Sequence, residues 1–118
     1  MVDNDFSTLD VQKILKINQE RFKQWVNMGF IKPTLMASGQ GSRASFTRED
    51  VYKVAFLNLL INGGWKRKAA AKICQSAEFD NPTYYQEFEG GIVSGLFNLK
   101  GIKADVDSII NQFLTVMG

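Results

Sequence analysis

The apolar residues of the first thirty positions repeat at helical spacing in two short groups. The first group is Val11, Ile14 and Leu15, and the second is Phe22, Trp25 and Val26. Ser7 begins a capping box before the first group, Asn18 is an N-cap candidate before the second, and Gly29 is a C-terminal stop. The pattern predicts one helix that ends near Lys16 and a second helix over residues 18–29. Two short helices separated by about three residues are typical of a helix-turn-helix.

The residues after the second helix predict a β-hairpin. Pro33 disfavours helical geometry at Lys32, so the chain leaves the helix in extended form. A glycine-rich turn at residues 38–42 follows, and Arg43–Phe46 can return as a second strand. We therefore expect a two-stranded wing over residues 32–46, with Arg43 near its tip.

Two further helices are predicted after this wing. Thr47 begins a second capping box, and an apolar helix follows from about Arg48 to Asn62. Gly63-Gly64 ends it. Residues 66–77 predict a fourth helix with Ala69, Ala70, Ile73 and Cys74 facing inward.

The last third of the chain has a different pattern. Asn81-Pro82 marks a boundary, and two strand-like segments, residues 83–88 and 92–97, flank Gly90-Gly91. An amphipathic helix of roughly thirteen residues ends the chain. The predicted fold class is mainly α (α+β): a winged helix-turn-helix with four helices and a β-hairpin wing, followed by a second β-hairpin and a C-terminal amphipathic helix. We expect two regions, residues 6–78 and 79–118.

The residue types exclude most catalytic chemistry. The 118-residue chain has no histidine, and Cys74 is its one cysteine. It can therefore build neither a Ser–His or Cys–His dyad nor a zinc site of the usual Cys/His type. We expect no enzymatic activity, no metal and no cofactor, and Cys74 is most simply a small buried hydrophobe. Asp105 and Asp107 lie near the predicted start of the last helix, where negative charge is favoured, so they do not indicate a catalytic pair.

Charge is unevenly distributed around a net charge of +2. Residues 8–48 carry seven basic and two acidic side chains, and residues 51–78 carry five basic and one acidic. Residues 79–118 reverse the sign, with five acidic and two basic side chains. A basic N-terminal part is compatible with a polyanionic partner, and an ordinary solvated surface is the alternative.

Five short segments follow one another in an order that is characteristic of one family. They are Arg21–Val26, Gly29–Pro33, Gly41–Arg43, Phe46–Asp50 and Gly64–Lys66. In this order they resemble the DNA-binding domain of MerR-type transcriptional regulators over residues 6–77. The chain departs from the family pattern at Lys23, where Arg is expected, and at Gln24-Trp25, where two Tyr are expected. One extra residue also separates Arg43 from Phe46.

The resemblance implies that double-stranded DNA is the partner. The helix over residues 18–29 would read the major groove, and the wing over residues 32–46 would contact the adjacent backbone or minor groove. Amide side chains suit adenine edges, Arg suits guanine, and Lys mostly holds phosphate. The candidate DNA-binding residues are Asn18, Gln19, Arg21, Lys23, Gln24, Trp25, Lys32, Ser42, Arg43, Lys66 and Arg67. Trp25 has two interpretations: its spacing from Phe22 favours the core, whereas the matched family position often touches phosphate.

The tail departs from the long dimerisation helix of MerR-type regulators. A hairpin and one helix are marginal by themselves, so they must pack on the first region or on a second copy. We expect a homodimer, and packing of the same face within one chain is the alternative. The predicted interface consists of the hairpin and an apolar stripe, whose residues are Val106, Ile109, Ile110, Phe113, Leu114 and Met117.

The sequence thus predicts a sequence-specific double-stranded DNA-binding transcriptional regulator. An excisionase-like architectural factor and a protein-interaction adaptor that has lost its DNA contacts are the alternatives. The acidic first residues do not form a signal peptide, and the apolar run Val51–Ile61 is too short to span a bilayer. We expect a cytoplasmic, nucleoid-associated bacterial protein without a membrane partner. The pattern identifies neither the operator nor any small-molecule effector.

Overall fold

The described part of the chain consists of five helices and one two-stranded hairpin. The computed structural model describes residues 6–33, 45–79, 83–88, 91–96 and 99–117. Within these residues, no helix combines the length and apolar character needed to cross a membrane. The elements in chain order are α1 Thr8–Leu15, α2 Gln19–Asn27, α3 Arg48–Asn62, α4 Arg67–Ser76, β1 Thr83–Phe88, β2 Gly91–Leu96 and α5 Leu99–Met117.

α1 and α2 have the predicted residues at their ends. Asp10 N donates to Ser7 Oγ at 3.1 Å, and Ser7 N donates to Asp10 Oδ2 at 3.0 Å, which completes a capping box. Asn18 caps α2 through its side-chain oxygen. Gly29 follows α2 with φ +78°, a left-handed conformation that favours glycine. The two predicted short helices are therefore confirmed.

The ends of α3 and α4 also follow from local signals. Thr47 and Asp50 form the predicted capping box at the start of α3, and Gly63 caps its end. α4 spans ten residues between Lys66 and Ala77. Its buried side chains include Ala70, Ile73 and Cys74, as predicted, whereas Ala69 is only partly buried.

The predicted fold class is wrong in its wing. The described residues are mainly α-helical, and those between 32 and 46 contain no wing hairpin. Instead Phe46 pairs with Phe6: Phe6 N donates to Phe46 O at 2.9 Å, and Phe46 N donates to Phe6 O at 2.8 Å. The backbone N–H and C=O groups of Phe46 are therefore hydrogen-bonded to the segment before α1. Residues 34–44, which include most of the predicted wing, lie outside the described residues.

The last helix begins earlier than predicted. α5 starts at Leu99, because Leu99 and Ile102 continue the apolar stripe toward Val106 at helical spacing. Gly101, which has a low helix propensity, masked this continuation in the sequence. Before α5, β1 and β2 pair antiparallel, with Thr83 opposite Leu96 and Phe88 opposite Gly91.

One hydrophobic core joins α5 to the first four helices. Leu99 and Ile110 belong to the same buried cluster as Trp25 and Leu57. The rings of Phe22 and Phe46 meet edge to face in this core, with centroids 5.8 Å apart. α5 packs on α3 and on α1, so its position relative to α2 is fixed through these helices.

This packing corrects the predicted dimer stripe. Val106 and Ile110 are 4% and 0% exposed within the single chain, and Phe113 and Leu114 pack partly against the same core. Packing within one chain, the alternative interpretation, is therefore correct for Val106 and Ile110. Ile109 is 40% exposed because it lies at the edge of the buried stripe of α5. The side chain of Met117 lies outside the described part of the chain.

A polar cluster also holds α5 against α3. Arg48 donates from Nη1 to Asp107 Oδ1 at 2.8 Å and from Nη2 to Asn111 Oδ1 at 3.0 Å. Tyr52 Oη donates to the same Asp107 oxygen. Since α5 starts at Leu99, Asp107 lies well inside the helix, and the predicted position near the helix start is wrong.

Candidate nucleic-acid interface

α2 buries its apolar side chains and exposes its polar ones. Phe22 and Trp25 are 0% and 1% exposed, and they fix the helix to the core. The polar side is a shallow open surface along the first and last turns of α2. The predicted residues Asn18, Gln19, Arg21, Lys23 and Gln24 are all exposed there. Asn18, Arg21, Lys23 and Gln24 line this surface together, and Gln19 is exposed beside it.

Hydrogen bonds at the C-terminal end of α2 hold that end of the helix in place. Phe30 N and Ile31 N both donate to Trp25 O, at 2.9 and 3.4 Å. From α4, Gln75 Nε2 donates to Gly29 O at 3.1 Å. Sequence reasoning missed Gln75, because no local pattern connects residues 46 positions apart.

The exposed side chain of Asn18 also makes hydrogen bonds to the backbone of α2. Its Oδ1 accepts from Glu20 N at 2.8 Å and from Arg21 N at 3.3 Å. The side-chain oxygen is therefore used as a helix cap, and the amide N–H groups remain as donors toward solvent. Asn18 cannot present both halves of its amide to an adenine edge while it caps α2.

Arg21 is oriented by two neighbours. Its guanidinium carbon lies 5.7 Å from the centroid of the Trp25 ring, in a cation–π arrangement. Its Nη1 donates to Asn62 Oδ1, at the end of α3, at 3.4 Å. These contacts limit the conformations of an otherwise flexible side chain, so less entropy would be lost if its guanidinium bound an anion.

The structure places Trp25 in the core. Its side chain is 1% exposed, so the predicted direct contact with DNA is wrong and the core interpretation is correct. The burial follows from its spacing of three residues from Phe22, which puts both rings on the inner face of α2. Trp25 affects the exposed side of α2 through its cation–π contact with Arg21.

An acidic side chain lies within the exposed polar side of α2. Glu20 is exposed in the first turn, beside Asn18 and one turn before Lys23 and Gln24. A carboxylate is favoured near a helix N-terminus, and it repels phosphate. Glu20 is not among the residues predicted to contact DNA.

The remaining candidates lie on other elements. Lys32 is exposed just before Pro33, and Lys66 and Arg67 are exposed at the start of α4. The N-cap of α4, Lys66, makes no side-chain cap hydrogen bond within the described residues. Backbone N–H groups at such a helix start are suited to an anion. Ser42 and Arg43 lie outside the described residues.

Comparison with known proteins identifies this arrangement. Residues 6–77, more than half of the chain, match the family model described as MerR HTH family regulatory protein. No curated protein matches the chain. The matched range begins at the segment that pairs with Phe46 and ends at the C-cap of α4, so it contains α1 to α4. The chain belongs to the MerR family of helix-turn-helix regulatory proteins, a family of DNA-binding transcription regulators.

Proposed function

We propose that this protein is a sequence-specific double-stranded DNA-binding transcriptional regulator that reads the major groove with α2. The observation that carries the proposal is the exposed polar side of α2, held against the core by Phe22 and Trp25. Family membership supports DNA binding in general. The groove and the contacts below are proposals from the chemistry of the side chains.

Gln24 and Lys23 carry base and phosphate recognition in this proposal. Gln24 offers an amide donor and acceptor that match an adenine edge, and Lys23 offers a compact cation for phosphate. Gln19 lies in the first turn, where amide side chains enter the groove in helix-turn-helix complexes. Arg21, oriented by Trp25 and Asn62, holds the phosphate at the groove edge.

A second phosphate contact is proposed at the start of α4. Lys66, Arg67 and the neighbouring Lys68 are exposed, and their positive charges oppose the helix dipole at this end. A phosphate bound there would relieve this repulsion. Lys32, Ser42 and Arg43 would contact the DNA backbone beside the site of α2.

We also propose a homodimer, with an interface smaller than the predicted stripe. Ile109 is 40% exposed and Val116 is 85% exposed, seven residues apart on α5. Two turns of a helix separate them, so they share one face. A dimer would present two copies of α2 to two half-sites.

The proposal is tested by the salt dependence of binding to duplex DNA. The logarithm of the binding constant should fall by about 0.9 per log unit of salt for each phosphate neutralised. Lys23→Gln should lower that slope by about 0.9. Lys100→Gln, the matched control on the exposed surface of α5, should leave the slope unchanged.

Two outcomes contradict the proposal. Equal slopes for Lys23→Gln and Lys100→Gln would remove Lys23 from the interface. Absence of salt-dependent binding to any duplex would favour an adaptor that has lost its DNA contacts. Selection of bound fragments from a genomic pool separates a regulator, which enriches promoter sites, from an excisionase-like factor, which enriches recombination sites.

A further inference from the structure

A small cavity lies between the segment that follows α2, the first turns of α3 and the last turn of α4. Its volume is about 230 Å³. Phe30, Ile31, Val54 and Cys74 form its apolar walls. Ile31, Val54 and Cys74 are 5%, 2% and 2% exposed, so these walls are part of the folded core. This cavity is distinct from the polar surface of α2.

Cys74 contributes an apolar wall to the cavity. Burial raises the pKa of the Cys74 thiol well above its usual range, and the nearby charge of Lys53 lowers it by a smaller amount. The thiol is therefore neutral at physiological pH and behaves as a small hydrophobe. The cavity is therefore suited to a ligand with an apolar body, and Cys74 does not supply a thiolate there.

The charged groups of the cavity are two ammonium groups and one carboxylate. Lys32 and Lys53 contribute the positive charges, and Asp50 contributes the negative charge. Asp50 Oδ2 accepts from Thr47 N at 3.1 Å in the capping box of α3, so this carboxylate is used to hold the helix start. Glu49 Oε1 lies 4.0 Å from Lys53 Nζ, and the two side chains are 65% and 32% exposed. A surface pair of this kind is weak, so the ammonium of Lys53 can exchange it for a ligand anion.

The cavity adjoins the C-terminal end of the proposed recognition helix. Phe30 and Ile31 line it and donate their backbone N–H groups to Trp25 O, in the last turn of α2. Gln75 lines it too and donates to Gly29 O at 3.1 Å. A molecule in the cavity would therefore contact the segments that fix the end of α2.

We propose that the cavity binds a small monocarboxylic acid with a compact aromatic or branched apolar body, and that binding changes the affinity for DNA. The apolar body would lie against Val54 and Cys74, with the carboxylate between Lys32 and Lys53. A cavity of this volume is smaller than the sites of drug-sized ligands, which limits the body to about ten non-hydrogen atoms. The first half of the proposal stands on the cavity, and the second half rests on the proposed function.

The test uses the full chain without DNA and the probe pair benzoate and benzamide. These molecules have the same apolar body, and benzoate alone carries the charge. Methyl NMR shifts of Ile31 and Val54 should saturate with benzoate at constant ionic strength, with a Kd in the low millimolar range. Benzamide should bind at least about fivefold more weakly, because it cannot pair with the ammonium groups.

Two variants locate the site. Lys53→Gln should weaken benzoate binding by at least about fivefold, and Lys100→Gln, which removes the same charge on α5, should not change it. Cys74→Leu should abolish binding because the larger side chain fills the cavity. If Cys74→Leu fails to fold, the comparison of Lys53→Gln with Lys100→Gln decides whether benzoate binds in this cavity. No saturable shift up to about 50 mM benzoate, or equal effects of these two variants, would overturn the site.

The regulatory half is measured separately. Saturating benzoate at fixed ionic strength should change the Kd for the best DNA fragment at least about threefold in wild type and not in Lys53→Gln. An unchanged Kd overturns the regulatory half and leaves the cavity site supported. Benzoate binding by a protein without DNA affinity would contradict the proposed function and leave the site supported.

Discussion

At the scale of single residues, the side chains of α2 have two separate roles: some hold the helix against the core, and others face solvent. Trp25 and Phe22 hold the helix, and Arg21, Lys23 and Gln24 face solvent. Helical periodicity favoured this division, because residues three and four apart lie on the same face, whereas the family resemblance also placed Trp25 among the DNA contacts. It could not predict the contact of Arg21 with Asn62, which depends on how α2 packs against the end of α3.

Glu20 gives the first residue-scale prediction. Its exposed carboxylate repels phosphate, so Glu20→Gln should tighten binding to random-sequence duplex about threefold at 0.1 M salt. Fluorescence anisotropy with a labelled duplex measures this change. Glu78→Gln, an exposed carboxylate after α4, is the control and should have no effect. Weaker or unchanged binding by Glu20→Gln would place this side of α2 away from the phosphates.

Trp25 gives a prediction about stability. Since its ring is 1% exposed, Trp25→Ala should lower the free energy of unfolding by about 3–5 kcal/mol, and Trp25→Phe should cost clearly less. Urea denaturation followed by circular dichroism measures both values. Trp25→Phe should also retain DNA binding within a few-fold. A loss below about 1 kcal/mol for Trp25→Ala would contradict a core position.

At the scale of elements, the ends of helices were the most predictable features. Ser7, Asn18 and Thr47 cap three helices in the structure as their positions in the sequence indicate. These signals act over three or four residues, so a pattern search finds them. The start of α5 was missed because Gly101 interrupts a stripe that tertiary packing on α3 nevertheless keeps helical. The pairing of Phe46 with Phe6 was missed because it joins residues forty positions apart.

The polar cluster between α3 and α5 gives a prediction about pH. Burial, followed by the hydrogen bond to Asp107, raises the pKa of Tyr52 to about 12, and the charge of Arg48 acts in the opposite direction. The neutral phenol is thus favoured in the folded state. Its contribution to stability is complete below the unfolded pKa of about 10 and is lost as the pH rises from there through about 12.

Absorbance at 295 nm measures this titration. The chain has three tyrosines, and Tyr52→Phe should remove a phenolate transition near pH 12 while the others remain. Thermal unfolding of the wild type should show a loss of stability over pH 10–12 that the variant lacks. If Tyr52→Phe instead lowers the amplitude of the transition near pH 10, Tyr52 ionises normally and the contact of α3 with α5 is looser than described.

At the scale of the whole molecule, the packing of α5 changes how the tail is understood. The sequence indicated an apolar stripe and could not decide between a second copy and the chain's own core. The structure buries Val106 and Ile110 within the chain, where α5 packs against α3 and α1. The homodimer stays a prediction that now depends on the exposed edge of α5 that carries Ile109 and Val116.

This prediction is checked by light scattering. We expect a dimer at about 100 μM that Ile109→Ser shifts toward monomer, because a hydroxyl would replace an apolar contact at the interface. Leu9→Ser, at an exposed apolar position on α1, is the control and should remain dimeric. A wild-type monomer at that concentration would contradict the homodimer.

The central claim is that α2 reads base pairs, and selection of bound sequences from a random duplex pool tests it most directly. Wild type should enrich a defined site, and Gln24→Ala should lose about 1–3 kcal/mol of discrimination at one base pair of it. Lys66→Gln at the start of α4 should weaken binding to all sequences alike and leave the preferred site unchanged. An identical preferred site with undiminished discrimination at every position in Gln24→Ala, or no enriched site in wild type, would contradict the account.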